Sequence, residues 1–406
     1  MSPLRNSFSA LVLLLISSPA VLAYSEYELG EAINNRSLPK VKEILKKDPS
    51  LAAKKSDGWK EGDTTTAMSA AADVGWLPGG ELLMQYNASV QAGDPPPLTR
   101  AAGSGSVPFV DFLLKHKADV NVVDRHGNTA LREALWFNRK DVAALLIKNG
   151  AKTDLFTDSA LGRIQSVTDA LKRKPSLINK VDRQGESLMH WAAVSNSLAM
   201  ANALLLLQAN INARDTQFDT PLQVAITRRS NAMMRWLIDK GANFNDSDAE
   251  AAAKEGHPSS WAGKEAALES AVRANNLEAA TLLLKKGANP NRKGLDGGTP
   301  LHLTAILGSV EMAKLLLAHG ANVGAVTDRH DSRVNDSLDP SPQLYTALHW
   351  AVMEGKLPMV TLLVASKSNV NALTSKRDGH RTPLAIAKDQ GFKDIAEFLR
   401  QHGGKL

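Results

Sequence analysis

Two short stretches of the chain nearly repeat one another. LMHWAAV spans Leu188–Val194 and ALHWAVM spans Ala347–Met353, and both carry His-Trp-Ala. A histidine beside an indole is a pair from which a general base or a metal site can be built. Either chemistry needs partners at fixed spacing. His116, His126, His257, His319, His330, His380 and His402 form no His-Glu-x-x-His and no His-x3-His pattern, and no carboxylate cluster stands at metal spacing. The sequence has no Gly-x-Ser-x-Gly, no phosphate-binding P-loop and no Gly-x-Gly-x-x-Gly after a strand pattern. The stretch GSGS at 103–106 reads as a turn between two helices, and DPPPL at 94–98 as a stiff lead-in to a helix. No catalytic residue, metal ligand or cofactor is expected, and the chain reads as non-enzymatic.

The His-Trp-Ala histidines instead give a register. Residues at the equivalent position are His190, Gln223, Glu269, His302 and His349. Two of the four gaps are 33 residues and the other two are 46 and 47. The two long gaps are one period plus an insertion, and a fixed period of this length marks a repeat architecture. Within each unit the residues agree with a helix pair. Thr129, Thr220, Thr299, Thr346 and Thr382 stand where an N-cap hydroxyl is wanted. Pro221, Pro300 and Pro383 follow at the first helical position, where the missing N–H costs nothing. Leu222, Leu301, Leu348 and Leu384 face inward, and the small Ala192, Ala225, Ala351 and Ala387 let neighbouring helices approach. The second helix carries an apolar run such as Leu315–Leu317. Gly241, Gly287 and Gly320 then end it, and Asn243, Asn289 and Asn322 begin the next turn.

The recurring pattern resembles that of the ankyrin-repeat family, Thr-Pro-Leu-His-x-Ala followed by a leucine run and Gly-Ala-Asn/Asp. The copies that carry it include GTPLHLTAILGSVEMAKLLLAHGANV at 298–323 and YTALHWAVMEGKLPMVTLLVASKSNVN at 345–371. The resemblance implies an all-α solenoid of roughly ten helix-turn-helix units with hairpin fingers, two of them carrying long insertions. Units are expected at about 94–126, 127–156, 157–184 (shortened), 185–217, 218–250, 264–296, 297–329, 345–378 and 381–406, within a repeat domain at 94–406. Weaker ankyrin-like units acting as a cap are expected at 24–93. One helix pair cannot bury its own apolar face, so the units must stack. In the family the motif histidine, here His190, His302 and His349, bonds within the turn and towards the threonine at the helix start. Trp191 and Trp350 are then expected to pack between repeats.

Composition agrees. The chain has 406 residues, 43% hydrophobic but only 5% aromatic, which suits closely packed helices better than a sandwich or barrel. It contains no cysteine, which excludes disulfides and thiolate metal sites. Net charge is +6 with both signs interspersed, and this points to no nucleic-acid partner. At the N-terminus, Arg5 precedes a short apolar run at Ala10–Ile16, then Pro19 and the small-residue pattern VLA at 21–23. This reads as a secretory signal peptide at 1–23, cut between Ala23 and Tyr24. A periplasmic or secreted monomer is expected, with no membrane span once the leader is removed.

Function is then expected on the partner-facing surface. The family's variable positions map to Arg125, His126, Asn128, Trp136 and Phe137, then to Arg183, Gln184, Glu186 and Ser195. They continue with Gln217, Asp219 and Arg228, then Leu295, Asp296 and Leu307, and end with Tyr345, Met353 and Glu354. Trp136 and Phe137 suit either a binding hot spot or packing against a neighbouring short unit. The insertions at 245–264 and 328–345 are polar, contain proline and carry one large aromatic each, Trp261 and Tyr345. They fit partner-binding fingers, or tolerated loops that cost little. The reading is an exported scaffold binding an unidentified exported or periplasmic protein through fingers and concave face. An inhibitor or immunity protein against a toxin is the alternative within that class. An enzyme or small-ligand protein with a site between the insertions, using His257, His330 or Asp331, is the alternative outside it.

Overall fold

The computed structural model describes residues 26–57, 64–244, 267–294, 297–327, 344–375 and 378–406. The expected leader with its Ala23/Tyr24 cut, Trp261, Asp296 and most of both insertions lie outside these residues. The chain divides into two compact units, Met1–Ala151 and Lys152–Leu406.

In the first unit the helices come in pairs: α1 (Glu26–Asn34) with α2 (Leu38–Lys47), α3 (Ala67–Asp73) with α4 (Leu77–Gln85), α5 (Pro97–Ser104) with α6 (Val107–Lys115) and α7 (Ala130–Trp136) with α8 (Lys140–Lys148). The first helix of each pair stacks on the first helix of the next, as α3 on α5 and α5 on α7. The second helices do the same, as α4 on α6 and α6 on α8. A two-stranded antiparallel pair, β1 (Lys55–Asp57) with β2 (Thr64–Thr66), precedes α3. Of GSGS at 103–106, read as a turn, only the second half is one: Gly103 and Ser104 are the last residues of α5, Gly105 ends it in a left-handed cap, and the Ser106 hydroxyl accepts the Phe109 N–H at the start of α6.

The second unit repeats the scheme. Its first helices are α9 (Leu155–Ala160), α11 (Leu188–Val194), α13 (Pro221–Thr227), α15 (Ala267–Arg273), α17 (Pro300–Leu307), α19 (Ala347–Met353) and α21 (Pro383–Asp389). Their partners are α10 (Ile164–Arg173), α12 (Leu198–Leu206), α14 (Asn231–Asp239), α16 (Leu277–Lys285), α18 (Val310–Ala318), α20 (Leu357–Ala365) and α22 (Lys393–Gln401). Each first helix packs on the second helix of its own pair and on the first helices before and after it, which is the nearest-neighbour logic of a repeat array. Apart from the short β pair and single bridges in the fingers, such as Val181 with Ser187 and Val326 with Thr346, the described residues are helix, turn and loop. This is the all-α repeat fold that the period implies.

Small side chains set the stacking distance. Ala134, Ala192, Ala225, Ala271, Ala351 and Ala387 occupy one register position and all are fully buried. Leu222, Leu301, Leu348 and Leu384, one residue before the histidine position, are buried as well, each contributing about 1.5–3 kcal/mol of transfer free energy. Gly241, Gly287 and Gly320 end the second helices at φ +88, +91 and +85. Lys117, Gln208 and Lys367 take the same left-handed conformation at equivalent points, so the turn imposes the geometry even without glycine. Consecutive turns are tied by asparagines. Asn291 Nδ2 donates to the Gly320 carbonyl at 2.8 Å, and its Oδ1 accepts the Asn322 N–H at 2.6 Å. No described helix is long and apolar enough to cross a membrane.

Candidate functional site

The three motif histidines make the same set of bonds. The Ser187 N–H donates to His190 Nδ1 at 3.1 Å, and His190 Nε2 lies 2.9 Å from the Asp219 carbonyl in the next finger. The Thr299 N–H donates to His302 Nδ1 at 3.0 Å, with Nε2 3.1 Å from the Tyr345 carbonyl. The Thr346 N–H donates to His349 Nδ1 at 3.1 Å, with Nε2 3.1 Å from the Ala372 carbonyl. A ring whose Nδ1 accepts from a backbone amide must carry its proton on Nε2, so each imidazole is neutral and donates forward. Burial holds His190 down at about 4, against the pull of the Asp219 carbonyl and the Asp182 charge. Burial likewise holds His349 at about 4, with the Ala372 and Arg381 carbonyls pulling upward and His302 adding to the depression. These histidines are staples between repeats, with both ring nitrogens engaged. Gln223 does the first half of the job by amide, its Oε1 accepting the Thr220 N–H at 2.9 Å.

The tryptophans beside them are not equivalent. Trp191 is 2% exposed and its Nε1 donates to Asp182 Oδ2 at 3.0 Å. Asp182 sits in the finger just before α11, where its other oxygen accepts the Gln184 and Glu186 N–H groups. Trp350 is only partly buried, and its Nε1 is solvent-shielded without a hydrogen-bond partner. Its ring lies 5.4 Å from that of Tyr345.

Trp350 and Tyr345 form one wall of a cavity of about 260 Å³ between α15, α17 and α19. Glu269 and Arg273 of α15, His302, Leu303 and Ile306 of α17, and Thr299 and Thr327 line the rest of it. The Tyr345 backbone is held at both ends. Its N–H donates to Thr327 Oγ1 at 3.1 Å, and its carbonyl accepts the Thr327 N–H at 2.9 Å as well as facing His302. Burial first, and then the Asp378 carboxylate, push the Tyr345 phenol up to about 12, so it stays protonated. The cavity adjoins the places where both insertions rejoin the framework, at Ala267 and at Thr327–Tyr345. No group of three or more His, Asp or Glu able to hold a metal occurs among the described residues.

The other sequence-selected residues are placed unevenly. Arg125, His126, Arg183, Gln217 and Glu354 are exposed. Arg125 Nε donates to His126 Nε2 at 2.9 Å, so the two stand as a pair at one finger tip. Gln184 is half-buried and its carbonyl accepts both the N–H and the hydroxyl of Thr216 in the next finger. Arg228 is half-buried; burial lowers its pKa and the buried Glu186 raises it. Trp136 and Phe137 are half-buried, and a methyl added at Gly103 of α5 would lie 3.6 Å from the Phe137 ring. Met353 is half-buried at the end of α19. The structure thus gathers Tyr345 with Trp350 and His302. Glu269 and Arg273 escaped selection from sequence, although an acid at a histidine register position directly after an insertion was a visible signal.

The comparisons with known proteins agree with this repeat. A family model for ankyrin repeats in three copies matches residues 70–157, 160–248, 189–294, 248–327, 268–374 and 326–406. An intracellular phospholipase A2 of Caenorhabditis elegans is 33% identical over 206 residues, covering 48% of this chain and 18% of that protein. The human transient receptor potential cation channel subfamily A member 1 is 28% identical over 180 residues, covering 44% and 15%. Mouse Rabankyrin-5 is 25% identical over 249 residues, covering 53% and 21%. The chain therefore spans about a fifth or less of the length of these curated relatives. Among solved structures, the ankyrin-repeat domain of Bcl-3 is similar with a TM-score of 0.47 and 25% identity, over 61% of this chain and 98% of that one.

Proposed function

Because the chain belongs to the ankyrin-repeat family, whose repeats generally mediate protein–protein interaction, we propose that it is an exported, non-enzymatic scaffold for a protein partner. One observation carries this reading. The motif histidines are spent on the framework, while the exposed finger positions carry unlike side chains: Arg125 and His126 in one finger, Arg183 and Gln217 in others. A stiff framework presenting varied side chains loses little entropy on binding. The leader pattern at 1–23 supports export. Supporting an exported enzyme and neutralising a toxin are both served by such a surface and differ in the partner alone.

The test is affinity capture of the mature exported protein, identified by mass spectrometry. Its control replaces Arg125, His126, Arg183 and Gln217 by Ala together. The expected result is at least about tenfold lower recovery of one partner with an unchanged melting curve. Equal recovery by both proteins rejects the finger surface. Fractionation that leaves the chain in the cytoplasm rejects export.

A further inference from the structure

The second helices of the second unit lie in a row, each packed against the next. A helix C-terminus favours a cation in its last turn, and the neighbours of α12 follow that rule. Lys172 and Arg173 end α10 with Lys174 at its cap, Lys240 caps α14, and Lys285 ends α16 with Lys286 at its cap. Helix α12 breaks the rule. It carries no charged residue, and Leu206 in its last turn and Leu207 at its cap stand where its neighbours place cations. Leu206 is 75% exposed, more than any other large apolar side chain among the described residues, and Leu207 is 37% exposed. Leu198, Asn202 and Leu206 recur every four residues and are all exposed, so one uncharged stripe runs along the outward face of α12. Helix α20 is uncharged too, yet its leucines and valines are buried or half-buried. A lone exposed leucine needs no explanation; here two adjacent ones stand between helix ends that carry exposed Lys172, Arg173 and Lys174 on one side and exposed Lys240 on the other. The acids of these ends are matched already, Asp169 with Lys172 at 3.8 Å and Asp239 with Lys286 at 3.2 Å. The edge is therefore an apolar knob in a basic surround. Protein hot spots rely on Trp, Tyr and Arg, with Leu under-represented. Leucine projecting beside Lys and Arg is instead the pattern of a surface that settles into the headgroup region of an anionic bilayer.

We propose that the edge formed by the ends of α10, α12 and α14 docks on an anionic lipid surface. Leu206 and Leu207 enter the boundary between headgroups and acyl chains, and Arg173, Lys174 and Lys240 meet lipid phosphates. A protein with an acidic patch is the competing occupant, and the test separates the two. The edge does not include the finger positions, so it adds an attachment to the scaffold reading and does not depend on it.

The test is flotation of the full mature chain with vesicles of phosphatidylcholine alone and of phosphatidylcholine containing about a third phosphatidylglycerol. Binding is expected to the anionic vesicles only, and to fall about tenfold or more in roughly 0.5 M salt. Leu206→Gln is expected to weaken partitioning about fivefold or more, and joint replacement of Lys172, Arg173 and Lys174 by Gln about tenfold or more, with melting curves unchanged because these side chains are exposed. The chain has no cysteine, so Leu206→Cys and Glu311→Cys each take one environment-sensitive fluorophore. Glu311 is exposed in the first turn of α18, at the opposite end of the second-helix row. Anionic vesicles are expected to shift the emission of the label at 206 to the blue and to leave the label at 311 as it is in buffer. No binding to anionic vesicles, equal binding to phosphatidylcholine alone, or equal shifts at the two positions overturns the proposal. So does a blue shift at 206 with polyglutamate that the vesicles fail to produce, which assigns the edge to an acidic polypeptide.

Discussion

In α11 the Trp191 indole is buried and gives its N–H to Asp182 of the finger just before it; in α19 the Trp350 indole is half-buried and gives its N–H to nothing. The histidines one residue earlier are nevertheless alike, with Nδ1 taking the cap amide and Nε2 reaching the next finger in both. The same three letters thus encode one property that is local and one that is not. The cap needs only residues three apart and a carbonyl in the following turn. The indole's environment depends on the finger that precedes it, and before α19 that finger is the insertion-bearing one.

Acid should act on both copies alike, and with the largest effect. A histidine held near 4 while its free value is 6.5 stays neutral in the fold, and the unfolded chain takes up the proton first. Stability is therefore intact above about pH 6.5 and lost as the pH falls towards 4, on the order of 3 kcal/mol for each of His190 and His349. Urea titrations at pH 7.5 and 4.5 measure it, and equal midpoints would break the shared-cap half of the comparison. Replacing either histidine by Ala at pH 7.5 should cost about 2–3 kcal/mol, because the cap amide and the next finger's carbonyl lose a partner. His→Gln should cost under about 1 kcal/mol and flatten the acid response, since Gln223 already fills this position. The tryptophans separate the copies. Trp191→Phe removes the indole's hydrogen bond to Asp182 Oδ2 and should cost about 1–2 kcal/mol, whereas Trp350→Phe removes an unpaired donor and should be neutral or slightly stabilising. Equal losses in the two variants would mean that the indoles are equivalent after all.

The same division explains what could be read from sequence. Period, helix starts and helix ends follow from short-range rules: a hydroxyl at Thr220, a proline at Pro221, a left-handed glycine at Gly241. For His190, His302 and His349 the family resemblance implied the bond to the helix start, but not the forward bond to the next finger's carbonyl. The cavity was not, because it joins Arg273, Ile306 and Trp350, residues of three repeats separated by an insertion whose composition carries no register. Trp191 packs between repeats as expected, whereas Trp350 is withdrawn from that role only in part. Of the positions chosen for a partner, Arg125, His126, Arg183, Gln217 and Glu354 stand on the surface; Arg228 and Gln184 are half-buried beside Glu186 and Thr216, a contact that forms only across fingers.

The histidine staples all point one way along the chain, from a cap to a carbonyl not yet made when that cap leaves the ribosome. His190 waits 29 residues for Asp219, His349 waits 23 for Ala372, and His302 waits 43 for Tyr345 because an insertion intervenes. At roughly 5–20 residues per second, each helix pair spends seconds half-stapled during synthesis, and the longest such interval falls at the repeat whose finger walls the cavity.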